Sequence, residues 1–296
     1  MFDGCTSLTT APALPATTLG DYCYAHMFLN CAALTVAPAL PATTLGNYCY
    51  QYMFSGCIAL TTPPTILPAT TLKNSCYQYM FSGCTSLTTT PTLPAMTMQP
   101  SCYSNMFGNC TSLTIPPELP AITLGQSCYN YMFTGCTSLI STPALDATTL
   151  ADSCYNHMFC DCTSITIAPD LPATTLATGC YQGMFRRCTA LTVPPDLPAT
   201  TALSNCYQYM FDGCTSLTTA PDINLSSVNV SYCIRYMFQG CSSLNSIKVL
   251  TTTWSTTHAA NWVSGVAATG TFTKPSGTSI ATGTNGIPSG WTVVNV

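Results

Sequence analysis

Apolar and polar positions recur along this chain in a fixed order. A Met-Phe pair heads each unit, at Met1-Phe2, Met27-Phe28, Met53-Phe54, Met80-Phe81, Met106-Phe107, Met132-Phe133, Met158-Phe159, Met184-Phe185, Met210-Phe211 and Met237-Phe238, in near-even steps. A period in the twenties suits one short strand and one short helix or turn per coil of a solenoid. Ahead of each pair, Cys23 with Met27 and Tyr24 with Phe28 are spaced i, i+4. That spacing predicts a short helix over Asp21 to Phe28 and its equivalents, with the four side chains on one inward face. Two residues after each Phe stands Gly4, Asn30, Gly56, Gly83, Asn109, Gly135, Asp161, Arg187, Gly213 or Gly240. All but Arg187 tolerate a left-handed backbone, which predicts the end of that helix.

A two-residue alternation follows, as in Leu34-Thr35-Val36, Leu113-Thr114-Ile115, Ile165-Thr166-Ile167 and Leu191-Thr192-Val193, and predicts a short strand. Proline then stops it, at Pro38, Pro117, Pro169 and Pro195 in those units. Two further apolar anchors close the coil, Leu40 and Leu45 in one unit and Leu67 and Leu72 in the next; the last anchor weakens to Ala202 in a later one. The expected architecture is an α/β solenoid: about ten leucine-rich coils over residues 1–247, parallel strands on one face and short helices on the other. At about 4.8 Å per coil it forms a rod roughly 45–50 Å long.

Residues 248–296 break the pattern. They are rich in Thr, Ser and Gly and hold all three tryptophans, Trp254, Trp262 and Trp291. Gly270–Thr273 and Trp291–Val294 read as short strands between glycine turns. This tail is expected to be a cap for the open solenoid end or a small separate β module. At the other end Met1 falls in mid-coil, which gives the expectation of a longer polypeptide or of a neighbouring chain covering that edge.

Composition narrows the function. Only 5% of the 296 residues are charged, with six Lys+Arg against ten Asp+Glu, where an ordinary domain has about 25%. Nucleic-acid binding needs a basic stripe, and none exists. No apolar run approaches the roughly 18 residues of a membrane span, and no signal peptide is visible at MFDGCTSLTT.

Nineteen of the twenty cysteines form two columns eight residues apart, for example Cys23 with Cys31, Cys49 with Cys57 and Cys76 with Cys84. Two readings stay open. The thiols are buried apolar fillers that bond turn backbone, or each coil carries one disulfide closing a nine-residue loop, as suits an extracellular setting. Cys160 falls outside both columns at a variable turn position, where exposure is expected. The spacing does not fit zinc. With Phe28, Phe54 and Phe81, these cysteines are assigned a structural role.

A column that varies between coils is expected to face solvent. It runs His26, Tyr52, Tyr79, Asn105, Tyr131, His157, Gly183, Tyr209, Tyr236, beside Gln51, Gln78 and Gln208. Aromatic rings next to amides suit stacking on sugar rings and bonding of hydroxyls, so this strip is the candidate ligand-binding surface. Glu118, Asp170, Asp196 and Asp222 make a carboxylate column; its last three members are a weak Ca²⁺ candidate, and a solvated edge is the plainer reading. Thr pairs such as Thr17-Thr18 and Thr43-Thr44 are expected mainly to cap the helices or bond turn backbone. The three histidines sit apart, nothing resembles a catalytic triad, and no enzyme or cofactor is expected.

The MFxGCTSLT motif preceded by LPxxL resembles the BspA-like leucine-rich repeats of bacterial and protist surface proteins, over residues 1 to about 247. Here CYxxMF lengthens the coil beyond the usual family pattern. The resemblance implies an adhesin-like or scaffold role without catalysis. The expectation is therefore a surface adhesin or receptor-binding module, of bacterial surface or phage-fibre type, outside the cell or on the virion. Its partner is a host-surface glycan or protein; the alternative is a structural protein that assembles with copies of itself, end-to-end or laterally, into a fibre.

Overall fold

A computed structural model describes residues 1–296. The unit that repeats is a flat coil, and the coils stack so that equivalent residues form columns. Of 145 backbone–backbone hydrogen bonds, 140 lie outside regular strands, so turns and inter-coil bonds hold the molecule together.

The segment expected to be helical is a run of consecutive turns. Within one coil Ala25, Met27, Leu29 and Cys31 donate to the carbonyls three residues back, at 3.1–3.2 Å. The alternate amides Tyr22, Tyr24, His26, Phe28 and Asn30 donate instead to Asn47, Cys49, Gln51, Met53 and Ser55 of the next coil, at 2.8–2.9 Å. The N–H groups of residues 24–31 all find a partner in this way without a helix. Every fourth residue is left-handed: Tyr48 (φ 56), Tyr52 (φ 55) and Gly56 (φ 73) in one coil, Ser127, Tyr131 and Gly135 in another. A turn of four residues repeats its side-chain directions every four, so Cys49-Tyr50, Met53-Phe54 and Cys57 all point inward, each at most 1% exposed. The helix over Asp21–Phe28 is thus corrected to a turn ladder, and the Thr pairs cap no helix.

The expected strands contract as well. Thr10, Val36 and Thr62 make single parallel bridges in succession, as do Ile167 with Val193 and Thr71 with Thr97 and Thr123. Proline lacks the N–H that would extend each ladder. In the first unit free of that proline the bridge grows into a strand, β1 (Ser246–Lys248). β1 pairs in parallel with β2 (Thr271–Lys274), and β2 with β3 (Thr292–Asn295), with Ile247, Phe272 and Val293 in register.

The interior is one continuous cluster from Leu14 to Trp291. Phenylalanine rings from Phe2 to Phe238 stack 5.5–5.8 Å apart. Tyrosines from Tyr24 to Tyr207 stack beside them at 5.5–6.1 Å. The hydroxyls of Tyr50, Tyr77, Tyr103 and Tyr129 are buried without a partner, and burial raises their pKa.

Residues 248–296 stack on the last full coil in the same pattern, with Tyr236, Phe238 and Gly240 donating to Ala260, Trp262 and Ser264. Trp262 ends the phenylalanine column, 5.8 Å from Phe238. The indole N–H groups of Trp254, Trp262 and Trp291 bond the carbonyls of Asn285, Gly286 and Ala267 at 2.8 Å each.

Candidate functional site

The turn face carries the variable column, and its left-handed residues are those of the strip. His26, Tyr52, Tyr79, Asn105, Tyr131, His157, Gly183, Tyr209 and Tyr236 all have φ between 52° and 59°. The left-handed backbone lifts each side chain off the coil so that rings in adjacent coils lie face to face. His26 stacks on Tyr52 at 5.1 Å, Tyr52 on Tyr79 at 4.5 Å, Tyr131 on His157 at 4.7 Å and Tyr209 on Tyr236 at 4.7 Å. The strip is therefore a set of short stacks. His26 is exposed, the five tyrosines are half-buried with Gln51 and Gln78, and His157 and Gln208 are buried.

Asn105 interrupts the strip between Tyr79 and Tyr131. Its amide folds over Gly108, where a Cβ would stand 2.1 Å from Asn105 Oδ1, and that oxygen accepts from Ser82 Oγ at 3.1 Å. Tyr79 and Tyr131, two coils or about 10 Å apart by the usual inter-strand spacing, thus each turn the ring face not stacked on Tyr52 or His157 towards Asn105. Asn130 Oδ1, beside Tyr131, is buried without a donor. The neighbouring amides pair along their own column: Gln51 Nε2 donates to Gln78 Oε1 at 2.8 Å, and Asn156 Nδ2 to Gln182 Oε1 at 3.2 Å.

The second interruption is filled. His157 leans over Gly183, whose Cβ would stand 2.4 Å from His157 Nε2. Burial, followed by Arg186 and Arg187, lowers the His157 pKa to about 4. Around it lies a charged cluster that the strip expectation missed: Arg186 pairs with Asp212 at 2.8 Å and Arg187 with Asp161. Both pairs join equivalent positions of adjacent coils, and that spacing was readable in the sequence. Cys160 is buried at 4% exposure, against the exposure expected of it. Arg187, one coil on, brings Nη2 to 3.8 Å from its sulfur, and Asp161 Oδ2 accepts the thiol at 3.3 Å.

All twenty thiols are free, and only Cys5 and Cys23 are exposed. Nine cysteines of one column, Cys31, Cys57 and Cys84 among them, donate to a phenylalanine carbonyl of the preceding coil at 3.0–3.2 Å. Cys49 and Cys76 are buried in the other column, and Cys23 lies at its exposed start. Desolvation pushes Cys49 and Cys57 up to about 12. Asp170, Asp196 and Asp222 are exposed, and Asp222 pairs with Lys248. No group of three His, Cys, Asp or Glu side chains gathers to hold a metal ion.

No curated protein matches this sequence. A solved leucine-rich repeat protein from Bacteroides ovatus is similar over 88% of this chain and 82% of its own, at 17% identity and a TM-score of 0.30. The family described as BspA type leucine rich repeat region (6 copies) matches residues 1–140, 50–191 and 148–260, nearly the whole array. The stacked parallel coils and their leucine, phenylalanine and cysteine columns thus have a family: the chain is a BspA-type leucine-rich repeat protein.

Proposed function

We propose that this chain is a non-catalytic recognition module of a bacterial surface or a phage fibre, working outside the cell and binding a host glycan or protein through its turn face. The observation that carries this reading is the interrupted tyrosine strip. Tyr79 and Tyr131 present ring faces on either side of Asn105, and the buried Asn130 oxygen lacks a donor. Ring faces beside amides suit a sugar's apolar face and its hydroxyls. No helix is long and apolar enough to cross a membrane. Glycan-array and host-cell binding of the full chain tests the reading. Replacing Tyr52, Tyr79 and Tyr131 together by Ser is expected to abolish binding, and unchanged binding contradicts the strip as the contact surface.

A second reading, lateral association of two copies in a fibre, has its own support. Val36, Ile115, Ile140, Ile167 and Val193 stand 48–63% exposed along the bridge face. Concentration-dependent assembly in sedimentation, lost on replacing Ile115 and Ile167 by Thr, is the result expected of that reading; a monomer at all concentrations contradicts it.

A further inference from the structure

The amide column of the turn face ends abruptly. It runs Gln182, Gln208, Arg235 and then Ala260, as the carbonyl contacts of Gly183, Tyr209 and Tyr236 show. Arg235 therefore has only the methyl group of Ala260 above it. Its guanidinium carbon lies 4.8 Å from the Tyr232 ring centre and 4.6 Å from that of Tyr236, and Nη2 donates to the Tyr236 hydroxyl at 2.9 Å. Arg186, Arg187 and Lys248 each have a carboxylate, but Arg235 has none, and its Nε is buried without an acceptor. Beside it lies a shallow, open depression of about 330 Å³ lined by Tyr232, Arg235, Thr256, Thr257, Ala260 and Asn285.

We infer that this pocket binds an acidic sugar, its carboxylate on Arg235 and its ring among Tyr232, Thr256, Thr257 and Asn285. A guanidinium packed against two aromatic rings keeps its charge and its planar donors oriented, and a carboxylate matches that planar edge with two parallel hydrogen bonds. Tyr232, 40% exposed, offers a ring face for stacking. The two threonine hydroxyls and the Asn285 amide suit sugar hydroxyls. The open depression has room for one pyranose resting on the surface. The inference deepens the recognition reading, since Tyr236 belongs to the strip, but it uses none of Tyr52, Tyr79 or Tyr131. The triple-serine variant keeps this pocket whole, so the two ideas fail separately.

The test is titration of the full chain with glucuronate and galacturonate, followed by calorimetry and by the Arg235 Nε–H resonance, with glucose, acetate and inorganic sulfate as controls. Saturable binding of a uronate is expected, with glucose and acetate binding at least about tenfold more weakly, the scale of one charge-assisted pair. Arg235→Gln restores the residue found at Gln182 and Gln208, so it is expected to keep the wild-type Tm and lose uronate binding. Ala260→Gln extends the column into the depression and is expected to block binding while Arg235 stays. Glucose binding as tightly as glucuronate, or full binding by either variant, overturns the inference. Acetate or sulfate binding as tightly as the uronates reduces the site to a bare anion contact and overturns it equally.

Discussion

His157 is neutral, buried and clamped between Tyr131 and the bare backbone of Gly183. Its folded pKa of about 4 lies below the ordinary 6.5, so protonation favours the unfolded chain. The stability it contributes is complete above about pH 6.5 and is lost progressively as pH falls to about 4. The loss is on the order of 3 kcal/mol, at about 1.36 kcal/mol per unit. Urea unfolding across that range is expected to show the decline, and His157→Tyr, the residue of Tyr131 and Tyr209, is expected to flatten it. The thiols give a second residue-scale expectation. Iodoacetamide on the native protein modifies Cys5 and Cys23 and no others, while the denatured protein takes label on all twenty. Early labelling of Cys160 would contradict its burial beneath Arg187. The cysteine and phenylalanine columns could be read directly from the repeat period. The burial of Cys160 could not, because its cover comes from an arginine at a position occupied by glycine, asparagine or aspartate in every other coil.

At the scale of the element, i, i+4 spacing proved ambiguous. Cys49 with Met53 and Tyr50 with Phe54 share a face in an α-helix, and equally in turns that repeat every four residues. The inward face was legible and the backbone was not, since the bonds that replace helical ones run to the neighbouring coil and leave no local mark. The left-handed column at Gly56 and Gly135 was legible. Its companions at Ser127 and Tyr131 were hidden, as those residue types do not announce positive φ. Twenty-one residues other than glycine are left-handed. At about 1–2 kcal/mol each in a regular left-handed conformation, they are tolerable only because alternate amides bond the next coil. Substitution separates helix from turn: Ser127→Gly is expected to be neutral or stabilising by up to about 1 kcal/mol in this ladder. In a helix it costs about 0.5 kcal/mol. Thermal unfolding of the variant gives the sign.

For the whole molecule, each coil completes the hydrogen bonding and apolar cover of the coil before it, so stability accumulates through neighbouring interfaces. The tryptophans of residues 248–296 extend that spine, and the surface proposed for recognition is a by-product of the same stacking. Rings line up on the turn face because the backbones beneath them do, and both proposed binding sites lie where the column is broken, at Asn105 and at Ala260. The stacked coils were legible from the period. The Arg235 pocket was not named from sequence, although Arg186, Arg187 and Lys248 each have a carboxylate at the equivalent position of an adjacent coil and Arg235 does not. X-ray diffraction from crystals of this chain tests the stack most directly. The account predicts Phe2 to Phe238 in one line, rings 5.5–5.8 Å apart at every step, over turns with Tyr52 and Ser127 left-handed. A helix over residues 21–28, or phenylalanines spread over different faces, would contradict it.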